Sequence, residues 1–192
     1  SDFPILDQSI HGRRLIYFDN AATTQKAQCV LDTSRRYYES INSNIHRGTH
    51  QLARAATEAF ENARNTVAKY LNAASSDEVI FTSGTTGGIN LAANILSLSG
   101  RIKANDEVLI SALEHHSNIV PWQMLCQRTG AKLKIIPCDD NGTLDLDAFH
   151  EALKGPVKIL ALTSISNAFG TVNPIAEMTR AAKAAGAIVL ID

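Results

Sequence analysis

Residues 79–82, 108–111, 133–137, 159–163 and 187–192 are short runs of β-branched and apolar side chains, and each reads as a buried β-strand. Segments of helical period lie between them. Over 53–71, Ala56, Phe60, Ala63, Val67 and Leu71 recur at three- and four-residue spacing, which predicts one apolar helix face. Residues 89–98, 119–128, 146–153 and 175–185 predict further helices, with Asp145 as a cap and Pro174 where a first-turn proline is tolerated. Strand alternating with helix requires crossover connections, so the expected architecture is α/β: three layers around a mostly parallel sheet. Residues 1–45, ahead of the first run, read as an arm plus a helix. The turn at Asp139, Asp140, Asn141 and Gly142 marks a connection inside one domain.

Composition narrows the function classes. Hydrophobic residues make up 45% and charged residues 19%, enough apolar material for a packed core. A net charge of −1 with no basic stripe argues against nucleic acid as a partner, and the pairs Arg13–Arg14 and Arg35–Arg36 read as solvated surface. Cys29, Cys126 and Cys138 are too few and too scattered for a disulfide framework or a metal site, which fits a reducing, cytoplasmic setting. No stretch reaches the roughly 18 apolar residues of a membrane span, and residues 1–18 lack the layout of a secretory signal.

The chemistry-bearing residues follow the strands. After the first run come Ser83, Gly84, Thr85, Thr86, Gly87 and Gly88, then a helix; free backbone N–H groups at such a start form an anion site. An ordinary capped turn explains the same residues equally well, and the pattern is neither a Walker loop nor GxGxxG. After the second run come Glu114, His115 and His116. A flat imidazole there suits stacking on an aromatic cofactor or moving a proton; metal binding is disfavoured because no third ligand sits at useful spacing. After the fourth run Asn167 offers an amide donor, with turn formation as the alternative role. The fifth run delivers Asp192. Four strand tips thus offer an anion turn, a flat ring, an amide and a carboxylate to one sheet edge.

Those residues carry a resemblance. YFDNAATT (17–24), HRGTHxL (46–52), GTTGGIN (84–90), EHHSNIVPW (114–122), SNAFGT (166–171) and VLID (189–192) stand in the order and spacing of one family. The chain closely resembles the amino-terminal half of Suf-type cysteine desulfurases/selenocysteine lyases, pyridoxal 5'-phosphate (PLP) enzymes of the class V aminotransferase group with fold type I. The resemblance implies that 46–192 form part of the PLP-binding large domain. It implies that Thr85 and Thr86 hold the cofactor phosphate, that His115 stacks on the ring and relays protons, and that Asn167 bonds the ring hydroxyl. Asp192 pairs with the ring nitrogen, and His46 lies near the active site or a dimer contact.

The implied reaction removes sulfur or selenium from L-cysteine or selenocysteine, giving alanine and an enzyme persulfide for iron–sulfur cluster assembly. A homodimer and a sulfur-acceptor protein are the implied partners. Gly87 departs from the Glu that much of the family has there. The family's cofactor-bearing lysine, sulfur-accepting cysteine and substrate-gripping arginine match nothing in 1–192, so these residues alone are expected not to turn over. Another class V enzyme, kynureninase-like, and a non-catalytic dimerising fragment are the competing readings.

Overall fold

The computed structural model describes residues 2–192, and the chain divides after Ile80 into two compact units. In the first, His11 and Gly12, both at positive φ (51° and 74°), turn a small antiparallel hairpin, β1 (Ser9–Ile10) and β2 (Arg13–Arg14). Residues 17–24 form a loop gathered around Tyr17, whose hydroxyl donates to the carbonyls of Thr23 (2.7 Å) and Asp19 (3.1 Å). Helix α1 (Gln28–Arg36) runs into a π-helical turn, Tyr37–Ile41. Helix α2 (Gln51–Tyr70) is capped by His50, whose ring accepts from the N–H of Ala53. Its buried stripe is Ala53, Ala56 and Ala68; Ala63 and Leu71, expected on that face, are exposed. Spacing assigns a stripe of helix surface, and the packing partner then selects which edge of that stripe is covered.

The second unit holds α3 (Thr85–Leu98), β3 (Glu107–Ser111), α4 (Val120–Thr129), β4 (Lys132–Ile136), α5 (Leu146–Ala152), β5 (Val157–Leu162), α6 (Ile175–Ala184) and β6 (Ile188–Ile191). The four strands pair in the order β4-β3-β5-β6, all parallel. Val108 and Ile110 of β3 and Ile159 and Ala161 of β5 point to one face, against Ile89 and Ala93 of α3 and Trp122 and Leu125 of α4. Their neighbours Leu109, Leu160 and Leu162 point to the other, against Phe149 of α5 and Met178 and Ala182 of α6. The period of two along strands buried on both faces thus builds the expected three layers. Asp145 caps α5 as anticipated, its carboxylate accepting from the N–H of Ala148 at 2.9 Å.

One expected strand is absent. Residues 79–82 join no ladder: Val79 is extended (φ −97°, ψ 117°), but Ile80 is 68% exposed. A strand needs a neighbouring strand in register, and the sheet's four strands lie elsewhere; the Val79 N–H instead donates to the Ser76 carbonyl (3.1 Å), closing a local turn. Helix α3 also begins four residues before the expected Ile89, so Gly87 and Gly88 lie inside its first turns.

The connections leave a crevice. Strand β3 is followed by α4 on one face of the sheet, while β5 is followed by α6 on the other. Adjacent strands whose connections depart to opposite faces form a topological switch point, and ligands of open α/β sheets bind outside the carboxyl ends there.

The turn after β4 supports the loop after β5. The Asp139 carboxylate accepts from the N–H groups of Asn141 (2.9 Å) and Thr143 (2.8 Å), which places Gly142 at φ 75°. A Cβ there would meet the Phe169 ring at 3.0 Å and Thr171 Oγ1 at 3.1 Å. Gly142→Ala is therefore expected to cost about 2 kcal/mol, from left-handed backbone strain and this close contact. Urea unfolding would measure it, and a loss below half that size would show that the loop yields freely.

Candidate active site

His115, Asn167 and Asp192 follow the ends of β3, β5 and β6, whereas Thr85 and Thr86 open α3 after a segment that is not a strand. Gly84, at φ 98°, swings the chain into α3, and a Cβ built on it would meet nothing within 4 Å. No side chain caps this helix, and the first in-helix bond is from the N–H of Gly88 to the carbonyl of Gly84 (3.1 Å). The N–H groups of Thr85, Thr86 and Gly87 are thus among the donors that a helix start leaves unpaired, at the positive end of its dipole. Thr85 and Thr86 are exposed there. The body of α3 packs on α4 and on the 3₁₀ turn His116–Asn118 that follows β3.

His115 is exposed just before that turn, with its ring held: Nδ1 accepts from the N–H of Ser117 (3.2 Å) and lies 2.8 Å from its hydroxyl. The ring meets His116 edge to face, centroids 5.9 Å apart. Capping and presentation are therefore one arrangement, because the cap fixes the plane of the imidazole. Asn167 is exposed in a loop closed by the Ile165–Val172 bridge and by the Gly170 N–H donating to the Ser166 carbonyl (2.8 Å). Asp192 continues the β6 ladder by one residue, its N–H donating to the Leu162 carbonyl (2.8 Å) and its carbonyl accepting from Ser164 (2.7 Å). Parallel register therefore brings His115, the Asn167 loop and Asp192 to the same edge. His46 lies in the first unit, at φ 60°, with Nε2 2.7 Å from Glu61. The hydrogen bond from Arg64 is the main cause holding the Glu61 carboxyl below its usual range, with the His46 contact adding to it.

The side chain that sequence reading left without a role is Glu114. It is 9% exposed, and its Oε1 accepts from Ser111 Oγ at the end of β3 (2.5 Å) and from the N–H of Thr163 just past β5 (2.9 Å). Its Oε2 accepts from Asn118 Nδ2 (2.6 Å), and Asn118 Oδ1 accepts from Trp122 Nε1 (2.8 Å). Burial pushes this carboxyl up, the three donors pull it down, and the nearby Asp192 charge adds a smaller push; the net direction is upward. Asn173, 4% exposed, adds a bond from Nδ2 to the Thr163 carbonyl (2.9 Å). The spacing Ser111, Glu114, Asn118, Trp122 was the available signal: hydrogen-bonding side chains at three- and four-residue intervals.

Cys126 is buried in the core, which pushes its thiol up and makes it a packing residue; Cys29 and Cys138 are also unpaired. Among the described residues no group of three His, Cys, Asp or Glu is placed to hold a metal, and no helix is long and apolar enough to cross a membrane.

The family model for aminotransferase class-V matches residues 16–192. A cysteine desulfurase of Synechococcus elongatus is 50% identical over 191 residues, covering all of this chain and 30% of its own length. The apo structure of a cysteine desulfurase from Thermococcus onnurineus NA1 superposes with a TM-score of 0.90 at 36% identity, covering 100% of this chain and 45% of that one. SspA, solved in complex with cysteine, is 25% identical with a TM-score of 0.82, covering 93% and 50%. The chain thus spans half or less of the length of each of these proteins.

Proposed function

The chain belongs to the class V aminotransferase family, and from that premise we propose that the protein carrying it is a PLP-dependent cysteine desulfurase. The observation that supports this reading is that one unit holds an uncapped helix start at Thr85, an imidazole fixed by Ser117 past β3 and an acid extending the parallel strand β6. That donor set suits a phosphorylated pyridine. The α3 start, open at Gly84, would take the phosphate through the N–H groups and hydroxyls at Thr85 and Thr86. His115 would lie against the ring and move a proton, Asn167 would donate to the ring hydroxyl oxygen, and Asp192 would keep the ring nitrogen protonated. Bound PLP supplies an electron sink for breaking bonds at the amino carbon of a substrate.

Cysteine as substrate is supported by the names of the relatives and by the cysteine bound to SspA. The product reading is alanine, with the substrate sulfur passed to an enzyme thiolate and then to an acceptor protein for iron–sulfur cluster assembly. A homodimer, with His46 near the contact, and a cytoplasmic setting complete it; three unpaired cysteines accord with a reducing compartment.

The test uses the full-length protein loaded with PLP. A visible cofactor absorption band, with alanine and sulfide released in equal amounts from L-cysteine and a thiol reductant, is the expected result. A protein that binds no PLP, or that binds it and transaminates without releasing sulfide, would contradict the proposal.

A further inference from the structure

Three chain segments that build the crevice meet on one buried carboxylate. Ser111 ends β3, Thr163 follows β5, and Asn118 leads into α4; each donates to Glu114. The chain runs in one direction only: Trp122 N–H to Asn118 oxygen, Asn118 amide N–H to Glu114. A group that accepts at both oxygens closes such a series, whereas a primary amide would set N–H against N–H. The series also crosses the switch point, because β3 and β5 are the neighbours whose connections diverge. Glu114 precedes His115 directly, and Ser117 fixes the imidazole two residues on, so the ring hangs between two anchors.

We propose that Glu114 is a positioning residue for the PLP reaction read above: by tying the β3 tip to the β5 tip it sets His115 against the groups beyond β5 and β6. The role rests on that functional reading. It differs from a purely structural one because the bond from Thr163 joins segments 49 residues apart at the point where the ligand would lie. Displacing a positioned group by about 1 Å lowers turnover about a hundredfold.

The test compares two variants of the full-length, PLP-loaded protein with the parent. Glu114→Gln keeps the shape but opposes two donors at Asn118. Glu114→Gln combined with Asn118→Asp restores every bond, since Gln then donates to Asp, which still accepts from Trp122. The readouts are kcat for sulfide release, KM for cysteine, and the visible circular dichroism of the bound cofactor, which reports how firmly the ring is held.

Glu114→Gln is expected to lose about a hundredfold in kcat with little change in KM and to alter the dichroism. The exchange variant is expected to recover kcat to within about tenfold and to regain the parental dichroism, as coupled neighbours do. A single variant with parental kcat and dichroism overturns the role while leaving the functional reading intact. So does an exchange variant that recovers neither, whether or not it folds. If Glu114→Gln does not fold, the exchange variant decides alone: parental dichroism supports the role, and its loss overturns it. A parent that binds no PLP defeats the functional reading and this role together.

Discussion

Asp192→Asn in the full-length, PLP-loaded protein is expected to lower kcat for sulfide release about a thousandfold while the melting temperature barely moves. The reason is charge at constant shape. A carboxylate about 4 Å from a cationic ring nitrogen, at an effective dielectric of about 20, is worth about 4 kcal/mol, and each 1.36 kcal/mol is a factor of ten. An amide would not supply that attraction, so, on the proposed placement of Asp192, it would no longer hold the ring nitrogen protonated, the state in which PLP accepts electrons. The fold should tolerate the change, because Asp192 is anchored by backbone bonds to Leu162 and Ser164 that Asn keeps. Removing this negative charge also removes one push on Glu114, so the buried carboxyl should titrate lower in the variant. Steady-state turnover with thermal melting checks the prediction; an Asn variant within tenfold of the parent would mean that Asp192 does not face the cofactor.

The largest effect on stability is expected from Trp122→Ala. Trp122 is fully buried in the core between α3, α4 and the sheet, and its indole N–H donates to Asn118, itself fully buried. Truncation removes apolar contacts worth about 3–5 kcal/mol and strands an acceptor at a further cost of about 1–3 kcal/mol. Domains are stable by about 5–15 kcal/mol, so the variant should lose a large share of its stability. Trp122→Phe separates the two contributions: it keeps most of the volume but not the N–H, and should cost about 1–3 kcal/mol. Urea unfolding of the full-length protein, with slopes compared across variants, measures both. An alanine variant destabilised by under about 2 kcal/mol would show that the core refills the space.

Legibility differed between elements for physical reasons. Residues 108–111 were readable as a buried strand because an apolar, β-branched run is a local property, whereas the opposite faces of Val108 and Leu109 came from the packing. The Asp145 cap was readable for the same reason, since capping spans three residues. Residues 79–82 misled because an apolar β-branched run states a preference for extended backbone, not the presence of a neighbour. The start of α3 was placed late because glycines at 87 and 88 weaken the helical signal, although the helix includes both. Glu114 was visible as a letter beside two histidines, but its partner at Thr163 lies in another strand's loop.

By itself the sequence determined which segments become strands and helices from residue 107 onward, that the sheet is parallel, and which side chains stand just past those strand ends. Periodicity, caps and turn residues act over a few positions, so they can be read along the chain. Only the tertiary structure decided the order β4-β3-β5-β6, the divergence of α4 and α6 to opposite faces, and the meeting of Ser111, Asn118 and Thr163 on Glu114. Those outcomes depend on which backbone and side-chain groups satisfy one another across long separations, a choice made by packing and burial rather than by any local preference.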